Sequence, residues 1–208
     1  MKPLISIITP TWQRHERLLN RCIPSVQAQA YPKVEHVIVC DGPDLELLEK
    51  ITSLHSGGAF AHPVRFVQLP EHKGHQWGSR ARLAGIEASG GAYIGYIDDD
   101  DALRPEHCRV LAAALEEEPA ADWAYSQMES HSNSGLSTHI GCDPPQCGQL
   151  GTPMVMHRRE ALDHGTWGPP SSTEDWELVQ RWMTAGLAHR FVPAPTSDVW
   201  PSVYWTHT

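Results

Sequence analysis

Four consecutive aspartates, Asp98 to Asp101, follow the short apolar run Tyr93–Ile97 in "AYIGYIDDDDALRPEH". At an effective dielectric of about 20, two carboxylates about 5–6 Å apart repel by about 3 kcal/mol. A well-solvated turn can offset that repulsion, and so can a bound cation. Two further acidic features carry the same kind of chemistry. Asp41 closes a second apolar run in "VEHVIVCDGP", and Glu174-Asp175 in "SSTEDWEL" stand where a helical pattern begins. Carboxylates so placed can ligate a hard cation, accept a hydrogen bond from a ring N–H or take a proton from a hydroxyl. Each also has a structural reading: a solvated turn, an aspartate in a tight turn, or acids at the positive end of a helix.

The elements that must hold these residues alternate along the chain. "LISIIT" (4–9), "VEHVIVC" (34–40), "VRFVQL" (64–69) and "AYIGYI" (92–97) read as strands, the first ended by Pro10. Between them, residues 14–30 have helical periodicity divided by Pro24, 45–54 form a short helix, and 77–88 form a helix ended by Gly90-Gly91. Pro105 opens another helix that runs to about Glu118, and "ADWAYSQM" (121–128) is a further strand. The order β-α-β-α implies a mostly parallel sheet covered by helices. Ligands of such sheets bind beyond the carboxyl ends of the strands. Asp41 and the Asp98–Asp101 turn both follow strands, so they belong to one rim and can share one ligand. After Met128 the chain becomes polar and rich in Gly, Pro and Ser, the texture of a hairpin or long loop. It then enters a helix at residues 172–174, with Ser172 or Thr173 as the cap, and ends in the short strands "HRFVPAP" and "SVYWTHT".

Composition narrows the setting. A chain of 208 residues that is 40% hydrophobic and 20% charged is globular and long enough for a sizeable core. A net charge of −9 argues against a nucleic-acid partner. No apolar run approaches the length of a transmembrane segment, and the first one is too short for a signal peptide. Five cysteines without a CxxC pair suggest reduced thiols and a cytoplasmic location.

Three stretches in this order, "PLISIITPTWQRHERLLNRCIPSVQAQAYPKVEHVIVCDG", "ARLAGIEASGGAYIGYIDDDD" and "TEDWEL", resemble family-2 glycosyltransferases of the GT-A fold. The resemblance covers nearly the whole chain. It implies a single GT-A domain over 1–208, a Rossmann-like α/β sheet with a small antiparallel, loop-rich portion on the acceptor side. Residues 1–101 would form the nucleotide-sugar half, and 102–208 the acceptor and catalytic-base half. It implies a nucleotide-sugar donor, UDP-linked by preference, a hydroxyl acceptor and transfer with inversion. It also implies Mn²⁺ or Mg²⁺ to stabilise the departing nucleoside diphosphate.

The resemblance assigns roles residue by residue. Asp98 and Asp100 are the Asp-x-Asp pair, Asp98 towards the ribose and Asp100 on the metal; Asp99 fills the middle position and Asp101 follows. Asp41 accepts from the base, although Cys40-Asp41-Gly42-Pro43 stands where Asp-Asp-Gly-Ser is frequent. Thr9 and Thr11 flank Pro10 where a base or ribose can rest. Of Lys73, Arg80 and Arg82, Arg82 is favoured for the diphosphate, with Leu83 where an asparagine is usual. Asp175 is the base, Glu174 orients it or binds acceptor, and Trp176 lines the pocket. His207, in "YWTHT", is the C-terminal metal ligand, a choice that would favour Mn²⁺. Because the chain stops after this core, a small or soluble acceptor, such as a glycan end or natural product, is expected. Two other readings share the acidic rim: a GT-A-like nucleotidyltransferase, and a catalytically silent nucleotide-sugar binder.

Overall fold

Among the described residues, the alternation predicted from the sequence is realised as one nine-stranded sheet flanked by helices. The computed structural model describes residues 1–73 and 78–201. β1 (Ile5–Thr11) runs parallel between β2 (Val34–Cys40) and β4 (Tyr93–Tyr96), with β3 (Val64–Gln68) parallel beyond β2. The other strands are β5 (Ala102–Leu103), β6 (Trp123–His131), β7 (Ser137–Ile140), β8 (Val155–Arg158) and β9 (His189–Val199). The sheet order is β3-β2-β1-β4-β8-β6-β9-β5, with β7 hairpin-paired to β6. β8 is antiparallel to both β4 and β6, and β9 is parallel to β6. Parallel ladders carry most of the paired positions.

The helices are α1 (His15–Arg17), α2 (Ile23–Gln27), α3 (Leu45–Ser56), α4 (Ser79–Ala88), α5 (His107–Glu117) and α6 (Glu174–Thr184). Alternation along β1 divides the core. Ile5 and Ile7 pack with Leu18, Val26, Leu111 and Leu115 on one face, while Ile8 packs with Val37, Val39, Ala81 and the second-half residues Trp123 and Trp182 on the other. Among the described residues, no helix is long and apolar enough to cross a membrane.

Three local expectations change. β1 continues through Pro10 to Thr11. Its ladder to β4 stops at Ile8, so Pro10 stands where β1 pairs with β2 alone and its missing N–H is tolerated. The helix expected over 14–30 is three pieces, with a π turn (Leu18–Cys22) between α1 and α2, and Pro24 in the first turn of α2. The first of the two expected final strands, "HRFVPAP", is part of a longer one, β9, that runs to Val199. "SVYWTHT" lies outside the described residues, as does Trp77, the expected start of α4.

The topology sets the rim. The chain moves outward from β1 to β2 and β3, then returns to the other side of β1 as β4. The crevice at such a reversal is where ligands bind in open α/β sheets. Thr11 is in register with Cys40, and the Asp41 N–H donates to the Thr11 carbonyl at 2.9 Å. The Ile97 N–H donates to the Ile8 carbonyl at 3.1 Å. Asp41 and the Asp98–Asp101 turn therefore emerge beside the same strand end.

Candidate active site

The four aspartates do not share one environment. The Asp101 N–H returns to the Asp98 carbonyl at 3.2 Å, which closes a turn and spreads the side chains. Asp98 receives Arg82 Nη2 at 2.5 Å. Asp99 receives the Thr11 hydroxyl at 2.7 Å and Arg14 Nη1 at 3.0 Å. Asp100 Oδ2 receives Arg14 at 2.9 Å and Arg17 at 3.2 Å. Asp101 accepts the backbone N–H of Trp200 at 3.1 Å.

Burial pushes the carboxyl groups of Asp99, Asp100 and Asp101 upward, Asp99 to about 7, against the pull of Arg14 on Asp99 and Asp100. Among the described residues, no three His, Cys, Asp or Glu side chains converge on one point. The donors are nonetheless all hard carboxylate oxygens, which suit Mg²⁺ or Mn²⁺ completed by a diphosphate and water.

Below the turn lies Arg82, on α4. Its guanidinium is 3% exposed and donates both to Asp98 and to Glu174, while Glu174 also accepts from the Ser79 hydroxyl. The ring of Trp167 lies 4.5 Å from the guanidinium carbon, a cation–π contact. Gly78 precedes α4 with φ +88°, and a Cβ there would meet Arg82 Nη1 at 2.8 Å. Only glycine lets the chain turn so close to the guanidinium. Arg82, expected on the diphosphate, is enclosed by these partners and ties α4 to α6. Arg80, on the same helix, is more open and donates to Asp41 at 3.3 Å.

Glu174 and Asp175 open α6, as expected from "TEDWEL". Thr173 sits at the N-cap position, yet its hydroxyl does not cap the helix and turns to Glu177 instead. Burial raises Glu174 to about 7 and also raises Asp175. Asp175 Oδ1 accepts the Trp176 N–H at 2.7 Å. Glu174 is committed to Arg82 and Ser79, while Asp175 lies within the field of Arg82 and Glu177 accepts from Ser171 and Thr173.

On the other side of β1, Asp41 accepts from His72 Nδ1 at 3.0 Å. His72 stacks on Trp12 with centroids 4.3 Å apart and planes 4° apart. Gly42 has φ +142°, and a Cβ there would meet the Trp12 ring at 2.7 Å, so glycine is needed for this ring to lie over the turn.

Thr9 is displaced from the expected site. It is fully buried, and its hydroxyl shares a hydrogen bond with His36 Nε2 at 2.8 Å and contacts Cys22 Sγ at 3.5 Å. Alternation in β1 turns Thr9 and Thr11 to the same face, but only Thr11, at the strand end, reaches the aspartate turn. His207 lies outside the described residues. Arg14, Arg17, Ser79, His72 and Trp200 join the site without having been singled out in the sequence. For Arg14 and Arg17 the signal was the basic spacing of "QRHERLLNR", which accompanies the apolar stripe of the same segment; Ser79, His72 and Trp200 had no such signal.

The family model of glycosyl transferase family 2 matches residues 6–160, which include β1 from Ser6 onward, Asp41, Arg82 and the aspartate turn. The chain belongs to glycosyltransferase family 2. Glu174 and Asp175 lie beyond the matched stretch. Among curated relatives, an uncharacterized glycosyltransferase, EpsJ of Bacillus subtilis, is 34% identical over 98% of the chain and 48% of its own length. An N-acetylglucosaminyltransferase of Mesorhizobium japonicum is 25% identical over 92% of the chain and 50% of its own length. The chain thus spans about half of each of these two family-2 relatives. Among solved structures, residues 1–349 of Staphylococcus aureus TarS in complex with UDP-GlcNAc superpose with a TM-score of 0.76, covering 96% of this chain and 59% of that one at 15% identity. The mannosyltransferase PcManGT of Pyrobaculum calidifontis, in complex with GDP-Man and Mn²⁺, gives 0.73, with 96% and 57% covered at 13% identity. At such low identities it is the superposition that shows the shared fold, that of GT-A glycosyltransferases.

Proposed function

We propose that this family-2 chain carries a metal-dependent glycosyltransferase activity, moving a sugar from a nucleotide-sugar donor to an acceptor hydroxyl with inversion. The observation that carries the reading is the Arg82 bridge, which fixes the donor-side aspartate Asp98 and the acidic start of α6 in one rigid relation. UDP is the favoured nucleotide, supported by the UDP-GlcNAc complex of TarS and by the Asp41-Gly42 turn. In this reading residues 1–101 bind the donor and 102–208 supply the base and the acceptor surface. The five free cysteines accord with a reducing, cytoplasmic setting.

Asp41 accepts the ring N–H of the base, and Trp12 and His72 wall that end of the rim. Asp98 faces the ribose, and Asp100 is the residue that would hold Mg²⁺ or Mn²⁺. The bound cation supplies Lewis-acid stabilisation to the departing diphosphate. Asp175 takes the proton of the acceptor hydroxyl as that oxygen bonds to the anomeric carbon. The bond from that carbon to the diphosphate oxygen breaks, and its electron pair leaves on the nucleotide. Burial raises the Asp175 pKa above the ordinary aspartate value, which makes its carboxylate a stronger base than an exposed one. Glu174, held by Arg82 and Ser79, orients the helix start.

A panel of nucleotide sugars assayed with Mn²⁺ and with EDTA tests the reading. Release of nucleoside diphosphate only with metal and acceptor is expected. Pyrophosphate as product would instead indicate a nucleotidyltransferase, and binding without any product a silent binder.

A further inference from the structure

Three arginines of one segment, Arg14, Arg17 and Arg21, all reach the aspartate turn. Arg14 bridges Asp99 and Asp100, Arg17 reaches Asp100 Oδ2, and Arg21 donates to the Asp100 carbonyl at 2.6 Å. The local backbone is unusual in a way that serves this. Gln13, between β1 and α1, has φ +54°, an uncommon value for a residue with a side chain. It turns the chain from the end of β1 directly into α1 and brings Arg14 back over the strand ends. Arg17 and Arg21, four residues apart across the π turn at Leu18–Cys22, lie on the same side of the segment. Arg21 also lies 3.9 Å over the Trp200 ring, and Trp200 fixes Asp101 through its N–H.

We propose that Arg14 and Arg17 are positioning residues that act as a resident counter-charge for Asp99 and Asp100, and that a divalent cation exchanges with their contact on Asp100. The proposal rests on the metal reading given above. With no cation bound, two buried carboxylates side by side need positive charge, and the two guanidiniums supply it from a segment anchored by Arg21. Both use Oδ2 of Asp100, so a cation arriving at this carboxylate meets an ion pair already formed. Arg17 is the more exposed, at 35%, and can withdraw towards solvent, whereas Arg14 stays on Asp99. The turn is then held in shape between donor-binding events, and the cost of holding it appears as weakened metal affinity.

The test titrates Mn²⁺ into the protein, alone and with saturating UDP, following free Mn²⁺ by electron paramagnetic resonance. Removing a competing positive charge raises cation affinity, so Arg17→Ala is expected to bind Mn²⁺ at least threefold more tightly than the wild type. Arg14→Ala should melt lower in EDTA and regain more stability from Mn²⁺ than the wild type does. Arg14→Lys, which keeps the charge, should bind Mn²⁺ as the wild type does. Should Arg14→Ala fail to fold, Arg17→Ala carries the test alone. Unchanged or weaker Mn²⁺ affinity in Arg17→Ala overturns the exchange while leaving the metal reading intact. Absence of Mn²⁺ binding to wild type and variants, with or without UDP, overturns both.

Discussion

Arg82 on α4 and Glu174 at the start of α6 form an ion pair beneath the rim, with both side chains less than one-tenth exposed. Removing one partner of a buried pair leaves the other charge uncompensated and costs about 3–5 kcal/mol. Arg82→Ala should therefore lower the unfolding free energy by about that amount in urea denaturation. Arg82→Ala combined with Glu174→Ala should cost less than the sum of the two single changes. Additive costs would mean that the two residues do not act as a pair.

Thr9 gives a test in the opposite direction. Its hydroxyl serves His36, which is fully buried and whose pKa burial holds down to about 3. Thr9→Val keeps the shape but leaves His36 Nε2 without this partner, at a cost of about 1–3 kcal/mol. Nucleoside diphosphate affinity, measured by calorimetry, should be unchanged. A marked loss of affinity would return Thr9 to the binding site.

Glu174 predicts a pH signature. Burial raises its folded pKa to about 7, above the ordinary glutamate value of about 4.3. The folded state therefore binds the proton more tightly than the unfolded chain. That contribution to stability is complete below the ordinary value and is lost as pH rises through about 7. His36, His107 and His157, lowered by burial to about 3, 4 and 4, act with the opposite sign, since their contribution is lost as pH falls below the ordinary histidine range. Comparing wild type with Glu174→Gln cancels the histidines. The variant should gain stability relative to wild type between pH 5 and pH 8 in urea denaturation. A difference independent of pH would contradict the raised value.

Much of this site was legible in the sequence because strands end abruptly. β2 and β4 are apolar runs terminated by acids, so Asp41 and Asp98 could be placed on one rim before any coordinates. Glu174 and Asp175 were legible because acids belong at a helix start. What was not legible depended on side-chain direction and on long-range partners. Thr9 and Thr11 look equivalent from their spacing, yet one closes over His36 and the other meets Asp99. Arg82 could be seen as a cation on a helix, but its enclosure by Glu174 and Trp167 comes from elements far along the chain, Glu174 being 92 residues away. The arginines of the first helical segment were hidden because its apolar stripe gave a sufficient account of the segment, and a π turn has no sequence signal as clear as proline or glycine.

Asp41 tests the nucleotide preference. A carboxylate that accepts a ring N–H favours uracil over cytosine, which presents an acceptor at that position. Wild type should bind UDP more tightly than CDP in calorimetry, and Asp41→Ala should narrow the gap. Equal affinities for the two in the wild type would remove Asp41 from the base site.

The account stands or falls on Asp175 as the group that takes the acceptor's proton. Loss of a general base typically lowers a rate by about 10²–10⁴. Asp175→Asn preserves the size of the side chain and leaves Arg82, Glu174 and the aspartate turn in place. With the donor and acceptor pair found active for the wild type, release of nucleoside diphosphate by Asp175→Asn should fall by at least about 10²-fold, while calorimetry shows donor affinity within a fewfold of wild type. Transfer at near wild-type rate by this variant would contradict the account.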